Sequence, residues 1–300
     1  MQSFKEEFLG FLQSLQDEIC RELEELDGKA LFTEDLWQRE EGGGGRTRVI
    51  SNGAVLEKGG VNTSAVHGKL PIAMMEYLKT EHDRFFACGL SLVLHPLNPY
   101  VPTVHANYRY FELYDAHGVV VDQWFGGGSD LTPYYYYETD KAHFHGVQKK
   151  VCDQKDLTLY PRFKEACDHY FYNSHRSEAR GIGGLFYDYL RSDEKHDGRF
   201  WLDFVTSLGK VFLSSYLPIV QRRKEQGHGD KERYWQEIRR GRYVEFNLIH
   251  DKGTLFGLKT NGRTESILMS LPPRVRWDYD FKPEPGSAEE ELLLALRREK

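Results

Sequence analysis

Residues 85–125 narrow the fold most. Phe85–His95 and Val104–Tyr114 are rich in β-branched, aromatic and leucine residues and read as strands. Between them lies the breaker stretch Pro96-Leu97-Asn98-Pro99-Tyr100-Val101-Pro102. A third strand is expected over Gly118–Phe125, after the turn at Asp115-Ala116-His117-Gly118. From Thr139 the pattern turns helical, with candidates at Thr139–Asp153, Pro161–Arg176, Arg199–Gln226 and Asp230–Arg240. Strands are expected again at Arg242–His250, Thr254–Thr260 and Ser266–Ser270, and a capped helix from Ser287 closes the chain. Strands, then helices, then strands imply an α+β domain on an antiparallel sheet and not a βαβ repeat. A chain of 300 residues can bury a substantial core. It shows neither an internal repeat nor a clear linker between domains, so 1–300 reads as a single domain.

Upstream, Phe4, Phe8, Phe11, Leu12, Leu15, Ile19, Leu23 and Leu26 recur at helical spacing until Gly28. They predict an amphipathic N-terminal helix over 1–28, opened by a capping box of Ser3 and Glu6. Arg46–Ser51 and Ala54–Lys58 flank Asn52-Gly53, a dipeptide that favours a type I′ hairpin turn. The Gly42–Gly45 run reads as a linker, because it lacks the strand, glycine spacing, helix and Lys-Ser/Thr ending of a phosphate loop.

A net charge of -6 gives no overall drive toward nucleic acid, which is bound through positive charge. Cys20, Cys88, Cys152 and Cys167 show no CxxC spacing, which argues against a structural zinc site and for a reducing compartment. No stretch approaches 18 uninterrupted apolar residues, so no transmembrane segment is expected, and no secretory or transit pattern is visible. A cytoplasmic location follows as an expectation.

Several residues could carry chemistry. Alternation places His105, Asn107 and Arg109 on one face of their strand, and Ser91, Val93 and His95 on one face of the strand before. Such polar lines make either a site floor or a solvated face. Arg176 and Arg180 would share a helical face if the helix continued that far, suiting a ligand with several carboxylates, or else form a charged turn with Glu178. His95, His105, His145 and His175 are of a type that binds metals, but their separations are irregular, and each is more often a hydrogen-bonded structural residue. In Trp124-Phe125-Gly126-Gly127-Gly128-Ser129-Asp130-Leu131-Thr132-Pro133, three glycines lead to one carboxylate inside an aromatic segment that continues through Tyr134–Tyr137.

That stretch, together with His175–Gly184, Gly241–Leu248 and Thr264–Pro273, resembles oxygen-dependent coproporphyrinogen III oxidase, in the same order and over nearly the whole chain. The resemblance implies a large antiparallel sheet flanked by helices on both faces, in a homodimer whose interface includes Tyr243 to Ser270. It implies oxidative decarboxylation of two propionates of coproporphyrinogen III to vinyls. The products would be protoporphyrinogen IX, CO2 and H2O2 in haem biosynthesis, without flavin or nicotinamide. By motif match, His105 is the expected proton donor and Asp130 the group that binds pyrrole N–H donors and acts as base. Ser91, Asn107, Arg109, Asn261, Gly262 and Arg263 are implied substrate contacts, and Arg176 and Arg180 propionate-binding or loop-positioning arginines. His95, His105, His145 and His175 match positions proposed to hold a divalent metal in bacterial relatives, while other members look metal-independent. The expectation is that O2 is the co-substrate and no metal is required. Two departures are visible: some relatives carry Glu-Arg-Arg-Gly where this chain has Glu178-Ala179-Arg180-Gly181, and the Tyr134–Tyr137 run is denser in tyrosine than the pattern. A histidine-metal oxidase and a non-catalytic tetrapyrrole carrier are the rival readings.

Overall fold

The computed structural model describes residues 4–259 and 262–297. Its strands are β1 (Thr33–Gln38), β2 (Gly43–Ser51), β3 (Leu56–Lys69), β4 (Arg84–Pro96), β5 (Thr103–Tyr114), β6 (Val120–Thr132), β7 (Tyr172–Asn173), β8 (Glu178–Ala179) and β9 (Gly184–Leu190). Seven of them form one antiparallel sheet in the order β1-β2-β3-β4-β5-β6-β9, and β7 and β8 make a separate small hairpin. The helices are α1 (Phe4–Asp27), α2 (Ile72–Leu78), α3 (Glu138–Lys155), α4 (Leu159–Tyr170), α5 (Gly198–Lys210), α6 (Phe212–Arg223), α7 (Asp230–Ile249), α8 (Lys252–Lys259), α9 (Thr264–Leu268) and α10 (Ala288–Leu296).

Alternation gives the sheet two unlike faces. Leu90, Leu92 and Leu94 of β4 and Val104, Ala106, Tyr108 and Tyr110 of β5 are buried in one core with Phe8, Leu12, Leu15 and Ile19 of α1 and with α5 and α6. Each fully buried side chain of this size contributes about 1.5–3 kcal/mol, so this face anchors the domain. On the other face Ser91, His105, Asn107 and Arg109 are only half-buried. There α9 crosses β2 and β3, where Asn62 donates to the Ser266 carbonyl at 2.8 Å and the Thr47 and Ser266 hydroxyls meet at 3.0 Å. The expected α+β sheet with helices on both sides is the observed fold.

The end of α1 is tied to the first hairpin. The buried Asp27 carboxylate accepts from the backbone N–H groups of Ala30, Ala54, Val55 and Leu56 at 2.8–3.0 Å. The connection is not type I′, since only Asn52 takes a left-handed φ of 57°. Gly53 is needed for close approach, because a Cβ there would lie 2.6 Å from the Asp27 Cγ. Ser3 of the expected capping box lies outside the described residues, whereas Gly28 ends α1 in the left-handed region as its position predicts. Ser287 caps α10 by accepting from the Glu290 N–H.

Other boundaries differ. The Gly42–Gly45 run is no linker, because Gly43 opens β2 and the run lies close against β1 and β3. The strand expected over Gly118–Phe125 runs through the three glycines to Thr132. The Pro161–Arg176 helix stops at Tyr170, and Arg199–Gln226 divides into α5 and α6 at Val211. Where strands were expected at Arg242–His250, Thr254–Thr260 and Ser266–Ser270, the described residues are mainly helical: α7 continues to Ile249, followed by α8 and α9, and Thr260 lies outside the described residues. The run Tyr243, Val244 and Phe246 carries strand-forming residue types, but α7 is buried on most sides there and buries Arg239, Arg240 and Asn247 beside its apolar residues, so no apolar stripe at helical spacing shows. β1, α2 and β9 carry no signal that the sequence reading caught.

Candidate active site

Directly opposed residues of antiparallel strands project to the same side. On the half-open face the register aligns Ser91, Asn107 and Gly128; then Val93, His105 and Asp130; then Gly89, Arg109 and Gly126. The sequence-level reading of Ser91, His105, Asn107 and Arg109 as one floor therefore matches the geometry, and the strand through the glycines delivers Asp130 beside His105.

Asp130 is fully buried. Its Oδ2 accepts from Arg180 Nε at 3.1 Å and from the Thr132 hydroxyl at 3.4 Å; its Oδ1 accepts from Arg180 Nη2 and from His105 Nδ1 at 3.0 Å. Arg180 is 3% exposed. It donates through Nη1 to Asn247 Oδ1 at 2.9 Å and packs against the rings of Phe171, Phe246 and Tyr243 at 4.1–4.8 Å. Burial pushes the Asp130 carboxyl up, but the adjacent Arg180 charge and the bonds from His105 and Arg180 outweigh it and hold it below the usual carboxylate range. Asp130 is therefore an anion and a weak base. Since a carboxylate only accepts, His105 carries its proton on Nδ1, leaving Nε2 as the free ring nitrogen. The His105 side chain is 20% exposed, so the Asp130 charge meets the open face through this imidazole.

Arg109 is the open cation, with its side chain 42% exposed and a loose contact of 3.5 Å to Asp188. The glycines on both sides make room for it. A Cβ at Gly89 would stand 3.3 Å from Arg109 Cγ, and one at Gly126 would stand 3.3 Å from its Nη2 and 2.5 Å from Asp188 Oδ1.

Arg176 and Arg180 do not share a helical face, because α4 has ended and the β7–β8 hairpin intervenes, with Ser177 in the left-handed region. Arg176 turns outward to chelate Glu245 through Nε at 2.8 Å and Nη2 at 2.7 Å. His175 joins the same carboxylate at 2.8 Å and meets His250 at 2.9 Å. Glu178, once a candidate partner of these arginines, pairs with Arg239 instead.

The four histidines do not converge. Among the described residues, no three His, Cys, Asp or Glu side chains gather as a metal site requires. His145 is committed at both nitrogens, to the Ile182 carbonyl at 2.9 Å and to the Tyr160 hydroxyl at 3.0 Å. His95 is too: its Nε2 donates to the Ser270 carbonyl at 2.8 Å, and its Nδ1 meets the Thr103 hydroxyl at 3.2 Å. Burial, then the nearby Arg240 charge, hold His95 neutral. Its Nδ1 therefore accepts from Thr103, whose oxygen accepts from Tyr134 at 2.6 Å, whose oxygen accepts from Arg240 Nε at 3.2 Å. This directional chain fastens the segment after α9 to β4.

Arg263 precedes α9, donating to the Ser266 hydroxyl at 3.0 Å and pairing with Asp35 on β1; the Gly262 N–H donates to the Gly257 carbonyl at 2.8 Å. Asn261 lies outside the described residues. Sequence reasoning missed Asn247, Phe171 and Glu245, which position the arginines, and Asn62, which shares a row with Ser91 and Asn107. Glu245 and Asn247 lie within the matched Gly241–Leu248 stretch but were not singled out, Phe171 carried no signal, and alternation within β3 would have put Asn62 on the polar face.

The open sheet face thus carries a buried carboxylate–guanidinium pair under a partly exposed imidazole, beside an arginine held only loosely by Asp188, an arrangement of acid–base and cationic groups of the kind enzymes use. The chain matches a family model described as Coproporphyrinogen III oxidase over residues 7–300. It is 50% identical over 303 residues to a Glycine max protein named "Oxygen-dependent coproporphyrinogen-III oxidase, chloroplastic", an alignment covering 98% of this chain and 78% of that protein. The chain belongs to the coproporphyrinogen III oxidase family.

Proposed function

We propose that the open face binds coproporphyrinogen III and uses O2 to convert two of its propionates to vinyls, giving protoporphyrinogen IX. Each propionate loses one hydrogen and its carboxyl group as CO2, and the two electrons released pass to one O2, which leaves as H2O2. Arg109 takes a propionate: a charge-assisted bond contributes about 1.5–3 kcal/mol. His105 Nε2 accepts the pyrrole N–H proton and later returns a proton, while Asp130 holds the ring's tautomer and offsets its charge when it protonates. Asp130 acts through His105 and not as the direct pyrrole ligand, because its own oxygens are already engaged. The observation that carries this reading is that buried pair beneath His105 in the open cleft. Ser91 and Asn107 on the floor, and Gly262 and Arg263 at its edge, are assigned to substrate. Asn261 is assigned by its place beside Gly262 alone, and Arg176 to holding its loop.

No metal or organic cofactor is assigned a role. The exposed apolar corner of Leu248, Ile249 and Leu258 supports a homodimer contact within Tyr243–Ser270, and sedimentation with Ile249→Asp tests it. Among the described residues no helix is long and apolar enough to cross a membrane, and the four cysteines are free and buried, which supports a reducing compartment. Cell fractionation decides between cytoplasm and organelle.

The test is an aerobic assay of chelator-treated, metal-quantified protein with coproporphyrinogen III, following CO2 and protoporphyrin. Wild type should turn over, and Asp130→Asn should lose roughly 100-fold or more, the scale of acid–base catalysis. No turnover by wild type, with or without added metal, would overturn the assignment; turnover only with metal would move the chemistry to a metal centre.

A further inference from the structure

Asn62 shares the row that runs straight across three strands of the open face, Asn62 on β3, Ser91 on β4 and Asn107 on β5. Its Nδ2 donates to the Ser266 carbonyl, which leaves Oδ1 as the amide's other arm. That oxygen is withdrawn from solvent and, among the described residues, accepts no hydrogen bond; Asn107 Oδ1 is in the same condition. A buried acceptor left unmade costs about 1–3 kcal/mol, and each such group in a folded protein asks for a reason. Adjacent strands lie about 4.8 Å apart, so the backbones that carry these two amides stand roughly 10 Å apart with Ser91 between them.

The substrate class read above supplies a reason. All four ring nitrogens of a porphyrinogen carry hydrogen, so the centre of the macrocycle can only donate. The Asp130 oxygens already hold Arg180, His105 and Thr132, whereas the two amide oxygens hold nothing. We propose that Asn62 is a substrate-binding residue whose Oδ1 accepts a pyrrole N–H in line with Asn107 Oδ1, an inference that rests on the proposed function. It follows that the row reads the oxidation state of the ring. An oxidised porphyrin keeps two inner N–H groups and presents two bare nitrogens, whose lone pairs repel an amide oxygen.

Anaerobic titrations with coproporphyrinogen III and with coproporphyrin III test this. Asn62→Leu should weaken the porphyrinogen about tenfold, the scale of one lost hydrogen bond at a buried site, and leave coproporphyrin within about twofold. Equal loss for both ligands would make Asn62 only a tether for α9, and no loss would remove it from the site; either result overturns the proposal. Asn62→Asp covers the case in which the leucine variant does not fold, since it keeps an acceptor oxygen and gives up the Ser266 bond. Retained preference for the porphyrinogen supports the proposal, and lost preference overturns it. If wild type binds neither ligand, the functional reading fails, a result distinct from wild-type binding that Asn62→Leu leaves unchanged.

Discussion

Asp130 and Glu245 are two carboxylates gripped by arginines only four residues apart in sequence, and they have opposite surroundings. The Asp130–Arg180 pair is buried, with side chains 0% and 3% exposed, whereas Glu245 is 10% exposed and its partner Arg176 is 40% exposed. In the first, the ion pair has no water to fall back on, so each charge depends on the other. In the second, solvent substitutes readily for a lost partner. Proximity in sequence therefore says little about environment; depth decides how far each carboxylate depends on its arginine.

Breaking the buried pair should have the largest effect. Arg180→Ala should cost about 3–5 kcal/mol in urea unfolding and abolish turnover, because it strands a buried carboxylate. A loss below 1 kcal/mol would mean that Asp130 is not held as described. Next comes the open cation. Arg109→Ala should raise KM about tenfold or more at unchanged Tm, the loss of one charge-assisted bond; unchanged kinetics would remove Arg109 from the site.

The Glu245 cluster sharpens the contrast through pH. Burial pushes its carboxyl up, but bonds from Arg176 and His175 and the charge of Arg242 prevail and bring it from 4.5 to about 2. A depressed folded value means that the cluster's stabilisation is present above pH 4.5 and is lost as pH falls toward 2. Glu245→Gln should therefore unfold at a lower temperature than wild type at pH 7, with the gap closing across that window. A gap independent of pH would contradict the assignment. Smallest of all, Arg176→Ala should cost under about 1 kcal/mol and leave kcat/KM within about twofold, read by calorimetry and the aerobic assay.

What the sequence revealed follows the same division. The polar lines on β4 and β5 were legible because period-2 alternation is local, and so were the caps at Gly28 and Ser287. The family motifs brought Asp130, His105 and Arg180 into view, but not how they meet. That Asp130 lies beneath His105 depends on the pairing of β5 with β6, and that Arg180 lies against it depends on the β7–β8 turn. The end of α7 from Tyr243 was read as a strand because aromatic and β-branched residues serve a buried helix as well as a sheet, and the short α8 and α9 were read as strands too. Arg176 and Arg180 were placed on one helical face because nothing in their residue types marks where α4 ends.

The arm over the sheet has a history written into its contacts. Asn62 meets Ser266 across 204 residues, Lys58 meets Leu271 across 213, and Arg263 meets Asp35 across 228. On a ribosome, all seven strands of the sheet can emerge and pair well before that arm exists, since domains assemble as the chain is made. The nascent protein can thus complete its sheet before the segment that covers this face has been made, and the face is closed only as synthesis nears its end.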